Sequence, residues 1–151
     1  MGQKKNEIKL HLLTECKRIL KTTIDNAKEI VDEAQNDAQD YQSNDALDGY
    51  RSQMLNKRDI FADQLNKAME EFVVLDKVDA AKKSEEVGFG AVVITDSQKL
   101  FIAVGAGKIQ YEKDVYYAIS PKVPIFQAIK GLKKGDSYTF QGRKGKINEI
   151  L

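Results

Sequence analysis

Two runs of seam positions organise the first half of the chain. Leu13, Cys16, Leu20, Thr23, Ala27, Ile30 and Ala34 form the first, and Met54, Arg58, Phe61, Leu65, Ala68, Phe72 and Leu75 form the second. Their spacing alternates between three and four residues, the repeat that keeps one side of a helix facing a partner helix. The runs are mirror images about Asn44. Folding the second back on the first pairs Ala34 with Met54, Ile30 with Arg58, Ala27 with Phe61 and Leu13 with Leu75. Small residues on one helix then largely meet large ones on the other, which fills the seam. The pattern predicts an antiparallel hairpin of two long helices. Between 35 and 53 (QNDAQDYQSNDALDGYRSQ) the apolar rhythm stops, and Asn, Asp, Ser and Gln take over, side chains that compete with helix for backbone hydrogen bonds. A reversal is expected near Ser43-Asn44-Asp45, where Asn tolerates the left-handed conformation and Asp45 is suited to cap the second helix. Each arm spans about 30 residues, so the predicted rod is roughly 45 Å long at about 1.5 Å per residue.

Beyond position 83 the texture changes. Glycines become frequent, and β-branched and aromatic residues cluster. Strands are predicted over 90–96 (GAVVITD), 99–104 (KLFIAV) and 114–119 (DVYYAI), with a turn at Asp96-Ser97-Gln98 and a break at Gly105 and Gly107. A short helix is predicted from Pro124 to Gly131, with Pro in the first turn and Gly past the last. Gly135-Asp136 marks a turn. Residues 137–141 and 146–151 are predicted to pair as strands around Gly142-Arg143-Lys144-Gly145. The expected fold class is thus an antiparallel coiled-coil hairpin over 1–80, with an acidic tip at about 35–53, followed by a small antiparallel β domain with one short helix over 84–151. The polar stretch 79–86 (DAAKKSEE) is the expected hinge.

Composition narrows the function classes. The 151 residues are 42% hydrophobic and 31% charged, with a net charge of +1, so no global charge drives the chain to nucleic acid or to membrane. The balance is local instead. No Lys or Arg lies between Lys28 and Arg51, where Asp37, Asp40, Asp45 and Asp48 gather, while basic residues concentrate after Lys77. No apolar run approaches the roughly 20 residues of a membrane span, and MGQKKNEIKL lacks the apolar core of a signal peptide. A cytoplasmic protein with no membrane partner is expected. Cys16 and His11 are single residues of their kind. Cys16 falls on the seam, where a thiol packs as a small apolar group. His11 has no second His or Cys with which to share a metal, and it is read as an ordinary helix residue.

A helical hairpin with an acidic tip, then a small glycine-rich β domain, resembles the bacterial Gre (GreA/GreB) transcript-cleavage and elongation factor family. The more specific match is Ile119-Ser120-Pro121-Lys122-Val123-Pro124-Ile125-Phe126-Gln127-Ala128-Ile129-Lys130-Gly131 followed by Gly135-Asp136, similar to the family's Ser-Pro, small helix, Gly-Asp signature. The ending KINEIL is similar to its final strand. The resemblance implies an FKBP-like C-terminal domain and RNA polymerase as partner. It implies a hairpin that enters the polymerase secondary channel to reach the nascent RNA 3′ end. Two tip carboxylates there help hold a second Mg2+, shared with the polymerase, while the polymerase itself cleaves backtracked RNA. The protein would be no enzyme and would have no cofactor of its own. A monomer is expected.

The family's tip pattern is Asp, two residues, then Glu, usually with Gly before the Asp. Asn44-Asp45-Ala46-Leu47-Asp48 has that spacing, so Asp45 takes the place of the Asp and Asp48 that of the Glu. Residues three apart share a helix face, so the two carboxylates can converge. Magnesium takes hard oxygen ligands and often only one or two carboxylates, and a second metal clamps the attacking and leaving oxygens of an in-line displacement. Two departures stand out. Asp48 is one methylene shorter than Glu, and Asn44 replaces Gly. A displacement of about 1 Å can cost on the order of a hundredfold in rate, so the site could shift to Asp37 or Asp40.

Other readings compete. Acidic hairpin turns are commonly just solvated loops. Lys17, Arg18, Lys21 and Lys57 could line a path for RNA or form the solvated face of a coiled coil, and the solvated face is the simpler reading. Tyr41 and Tyr50 could meet a partner or brace the turn. Arg58 on the seam is expected to snorkel out or pair with Asp32 or Glu33. A Gre-fold regulator that occupies the channel without stimulating cleavage keeps the fold and reverses the effect. An FKBP-like prolyl isomerase or chaperone module, and a plain coiled-coil adaptor, complete the alternatives.

Overall fold

A computed structural model describes residues 2–40 and 45–151, with the side chains of 2–4, 40 and 45–47 outside the description. Helix α1 runs Gly2–Asp40 and α2 runs Asp45–Leu75. They are followed by β1 (Val92–Thr95), β2 (Lys99–Ile102), β3 (Gly107–Tyr111), β4 (Asp114–Ile119), α3 (Pro124–Ile129), β5 (Ser137–Phe140) and β6 (Arg143–Ile150). The chain forms two compact units: Met1–Arg18 with Val73–Leu151, here the sheet unit, and Ile19–Phe72, here the arm. Among the described residues no helix is long and apolar enough to cross a membrane.

In the arm the helices run antiparallel, and the predicted seam is where the burial lies. Leu20, Ala27 and Ala34 are buried, and Ala38 extends the row by another turn. On α2, Ala68 is buried, while Met54, Phe61, Leu65 and Phe72 are half-buried. Thr23 departs from the heptad. It is exposed and its Oγ1 donates back to the Ile19 carbonyl at 3.1 Å, while half-buried Ile24 takes its place. An α-helix has 3.6 residues per turn, so a strict 3.5 repeat drifts off the seam. Arg58 also departs from expectation. Its Nη1 donates to Gln35 Oε1 at 2.6 Å, and its Nε and Nη2 donate to Asp59 Oδ1 at 3.0 and 2.8 Å. Neither Asp32 nor Glu33 is the partner. The guanidinium reaches past Ile30 toward the turn and takes the neighbouring carboxylate of its own helix.

The sheet has the order β3-β4-β2-β1-β6-β5. Neighbours are antiparallel except for β2 and β4, which run parallel with Leu100 opposite Tyr117 and Phe101 opposite Ala118. This pair departs from the all-antiparallel expectation because of β3, which was expected to be a glycine break. After β2 the chain crosses to the sheet edge, forms β3, and turns back through a hairpin into β4, which lies between β3 and β2. The segment GKIQY is hard to read as a strand, because only Ile109 in it is buried.

Both faces of the central strands are covered. Val93, Leu100 and Ile150 share one face by register and join Phe126 and Ile129 of α3, with Ile102 and Ile147, in one core. Val92, Phe101, Ala118, Tyr116 and Ile109 share the other face by register and are buried as well. The base of the helices adds Leu12, Leu13, Cys16, Leu75 and Val78 to the buried set of this unit. His11 ties α1 to β3: its Nε2 lies 3.1 Å from the Gln110 carbonyl oxygen, and its ring stands 4.9 Å from that of Tyr111. The expected ordinary helix residue is thus a contact between the helix base and the sheet edge.

Residues 142–145 were expected to be a loop, yet β6 begins at Arg143. The turn is only Gln141-Gly142, both with positive φ, the backbone that a two-residue hairpin needs to match strand twist. Gly145 sits opposite Tyr138, and a Cβ there would overlap the tyrosine ring. Glycine is what lets the ring lie flat across the strand.

Candidate functional site at the hairpin tip

The reversal expected near Ser43-Asn44-Asp45 falls on residues 41–44, together with Tyr41, outside the described residues. What is described is the frame around it. Helix α1 reaches Asp40 and α2 starts at Asp45, so positions 45 and 48 stand three apart in the first turn of one helix. That places both on one helix face, at the end where the unpaired N–H groups and the helix dipole favour negative charge. Asp48 and Asp37 are exposed. The side chains of Asp40 and Asp45 lie outside the description. Tyr50 is exposed on α2, two positions beyond Asp48.

The donor set bears on a metal. Among the described residues no three His, Cys, Asp or Glu side chains gather where they could hold an ion. Two carboxylates alone make an incomplete shell for a metal ion. This suits a magnesium ion whose other ligands come from a partner, water or phosphate, since magnesium keeps several waters and often takes one or two protein carboxylates.

The basic residues of the arms divide. Lys17 pairs with Asp76 at 3.2 Å, and Arg18 pairs with Glu15 one helical turn away at 2.9 Å. These are contacts of a solvated helix face. Lys21 and Lys57 are exposed.

One buried cation escaped the sequence reading. Lys9 is 3% exposed, and its Nζ donates to the Lys82 carbonyl at 2.7 Å, the Leu151 carbonyl at 3.4 Å and Ser84 Oγ at 3.5 Å. Burial lowers its pKa, with Asp79 acting in the opposite sense. The signal was present in the chain. Position 9 lies three, four and seven residues before Leu12, Leu13 and Cys16, on the apolar side of the helix, where a lysine needs partners. Cys16, buried on the same side, has its thiol pushed up from the ordinary 9.0 to about 12 by burial first and by Glu15 second. It is a packed thiol, kept protonated.

No family model matches the chain, and no curated protein matches it at a significant level. Among solved structures it is similar to the transcription factor Gfh1, with 17% identity, a TM-score of 0.35, and 89% of this chain and 92% of that one covered. A likeness of that degree transfers no function.

Proposed function

We propose that this chain is a Gre-type transcription elongation factor that binds RNA polymerase through its secondary channel and stimulates the polymerase's own cleavage of backtracked nascent RNA. The observation that carries the reading is the start of α2, where positions 45 and 48 put two aspartates in the first turn at the end of a hairpin built from helices of 39 and 31 residues. The Ser-Pro, short helix, Gly-Asp run of the C-terminal domain supports the same reading.

The work of the chain itself is delivery. The seam keeps the two helices together, and no Lys or Arg lies from 29 to 50 in the sequence, so the stretch that carries the aspartates is acidic. Asp45 and Asp48 add anionic oxygens to a site whose remaining ligands belong to the polymerase. When bound, a shared Mg2+ would supply Lewis-acid stabilisation of the oxygens in the displacement and a more acidic water. A carboxylate that does not contact the ion can orient that water by accepting its proton in a hydrogen bond.

Cleavage in stalled, backtracked elongation complexes tests the reading, with wild type compared against Asp45→Ala, Asp48→Ala and Asp48→Glu. The expected result is magnesium-dependent shortening of the RNA 3′ end, reduced about a hundredfold or more in either alanine variant and retained or raised in Asp48→Glu. A chain that does not bind polymerase sinks the proposal. Asp48, shorter than the family's Glu, favours a second reading, a channel-occupying regulator. Binding with slowed elongation, no cleavage, and no response to the alanine variants would select it.

A further inference from the structure

Three clefts in the sheet unit meet at Ser84, which lines all of them. One of about 430 Å³ carries Lys77, Lys82 and Phe89, one of about 610 Å³ carries Lys82, Lys83, Lys133 and Phe89, and one of about 180 Å³ carries Lys83 and Lys134. These five lysines are exposed, and among the described residues none of them forms an ion pair. Asp79, Glu85 and Glu86 line the same clefts, and Asp79 is turned to its own loop, accepting from the Ala81 N–H at 3.0 Å. Lys5 and Glu149, in the smallest cleft, pair with each other. The run is therefore net positive. The buried Lys9 holds the loop of this run, donating to the Lys82 carbonyl and to Ser84 Oγ. Phe89 stands 41% exposed beside these lysines, a large apolar ring that the core leaves in water.

We propose that this chain of clefts binds single-stranded nucleic acid, with phosphates held by Lys77, Lys82, Lys83, Lys133 and Lys134 and a base stacked on Phe89. A positively charged groove that follows the backbone, joined to an aromatic face, is how single strands are held without sequence preference. The cation type favours phosphate over protein carboxylate. All five are lysines, which act as point charges on phosphate, whereas planar carboxylates are matched best by the arginine fork, and no arginine lines the clefts. A protein partner would also need an apolar centre to its interface, and here one exposed ring stands among charges. A single aromatic face suits one base.

The test is fluorescence anisotropy with the full chain and a labelled single-stranded oligouridylate, without polymerase. Its failure would leave the tip reading standing, and failure of the tip reading would leave this one. The expected result is binding that weakens with salt at a log–log slope of roughly −3, as for about four neutralised phosphates. K82E/K83E should weaken it roughly tenfold or more, and F89A roughly fivefold or more. K108E/K113E, which makes the same charge change at exposed lysines of the β3–β4 hairpin, should leave it nearly unchanged. All of these positions are exposed, and circular dichroism checks that each variant is folded. No binding at low salt, or equal weakening in the K108E/K113E control, overturns the proposal. So does competition by polyglutamate as strong as by RNA with no effect of F89A, which would mark a site for acidic protein.

Discussion

A side chain on β1 or β2 and a side chain in the arm are held in different ways. In the sheet unit the central strands are covered on both faces, so Val92, Val93, Phe101 and Ile102 are all fully buried although they alternate in direction. In the arm each helix has one contact side. Among its described residues only Leu20, Ala27, Ala34, Ala38 and Ala68 are buried, four of them alanines, and the larger partners Phe61, Leu65 and Phe72 remain half-buried. A two-faced core stabilises through large side chains with neighbours all round. A seam works by close approach of backbones over small residues, and leaves the outer positions free for charge. That freedom leaves the arm's outer positions open to charged residues, and it is why the proposed chemistry falls at the end of the arm.

The comparison can be broken most directly by truncating one aromatic in each region. Phe101→Ala should cost about 3 to 5 kcal/mol, since it removes a fully buried ring from between two covered faces. Phe61→Ala should cost about 1 to 2 kcal/mol, the share of a half-buried ring. Urea unfolding followed by circular dichroism measures both, and equal costs would mean that the seam is packed as tightly as the sheet. Gly145→Ala comes next. The new methyl would overlap the Tyr138 ring, and overpacking of this kind costs about 1 to 3 kcal/mol. A smaller residue at 138 should recover part of the loss, and no recovery in the double variant would mean that the strain lies in the backbone.

Alkaline titration sharpens the contrast at the helix base. The Cys16 thiol is raised from 9.0 to about 12 and the Tyr116 hydroxyl from 10.0 to about 12, in both cases chiefly by burial. A group raised in the folded state contributes stability that is fully present below its unfolded value and is lost as pH rises through the folded one. Cys16 should therefore make the protein lose stability from about pH 9 toward 12, with Tyr116 adding to the loss above about 10. Thermal melts across that range should show less decline between pH 9 and 10 in Cys16→Ala than in wild type. Smaller effects are expected in the arm, beginning with Arg58. It is partly exposed and hydrogen-bonded to Gln35 and Asp59, so Arg58→Met should move stability by no more than about 1 kcal/mol in either direction. Asp48→Ala, at an exposed position, should stay within about 0.5 kcal/mol. A large loss at either would assign the arm polar contacts the strength of a core.

The hairpin was legible because a helix seam is written in local spacing, and seven positions on each side of Asn44 are enough to state it. The short helix after Pro124 and the turn at Asp96-Ser97-Gln98 were legible for the same reason. Proline and glycine bound the helix, and Thr95 Oγ1 accepts the backbone N–H groups of Ser97 and Gln98 at 3.2 and 3.0 Å. The candidate aspartates came from the resemblance to the Gre tip pattern, and α2 has positions 45 and 48 in one helical turn. Strand β3 was not legible, because an edge strand that buries one residue carries almost no pattern.

What the chain determined by itself is whatever depends on neighbours a few residues apart: the two helices, the seam, the acidic stretch, and the turn residues. What only the tertiary structure decided depends on residues far apart in sequence. The parallel β2–β4 pair, the Tyr138 ring over Gly145, the burial of Lys9 against Lys82 and Leu151, and the meeting of lysines 77, 82, 83, 133 and 134 around Ser84 each need the sheet to close first. Local periodicity records which side of an element is apolar. It holds no record of which element will cover that side, because that choice is made by packing the whole domain at once.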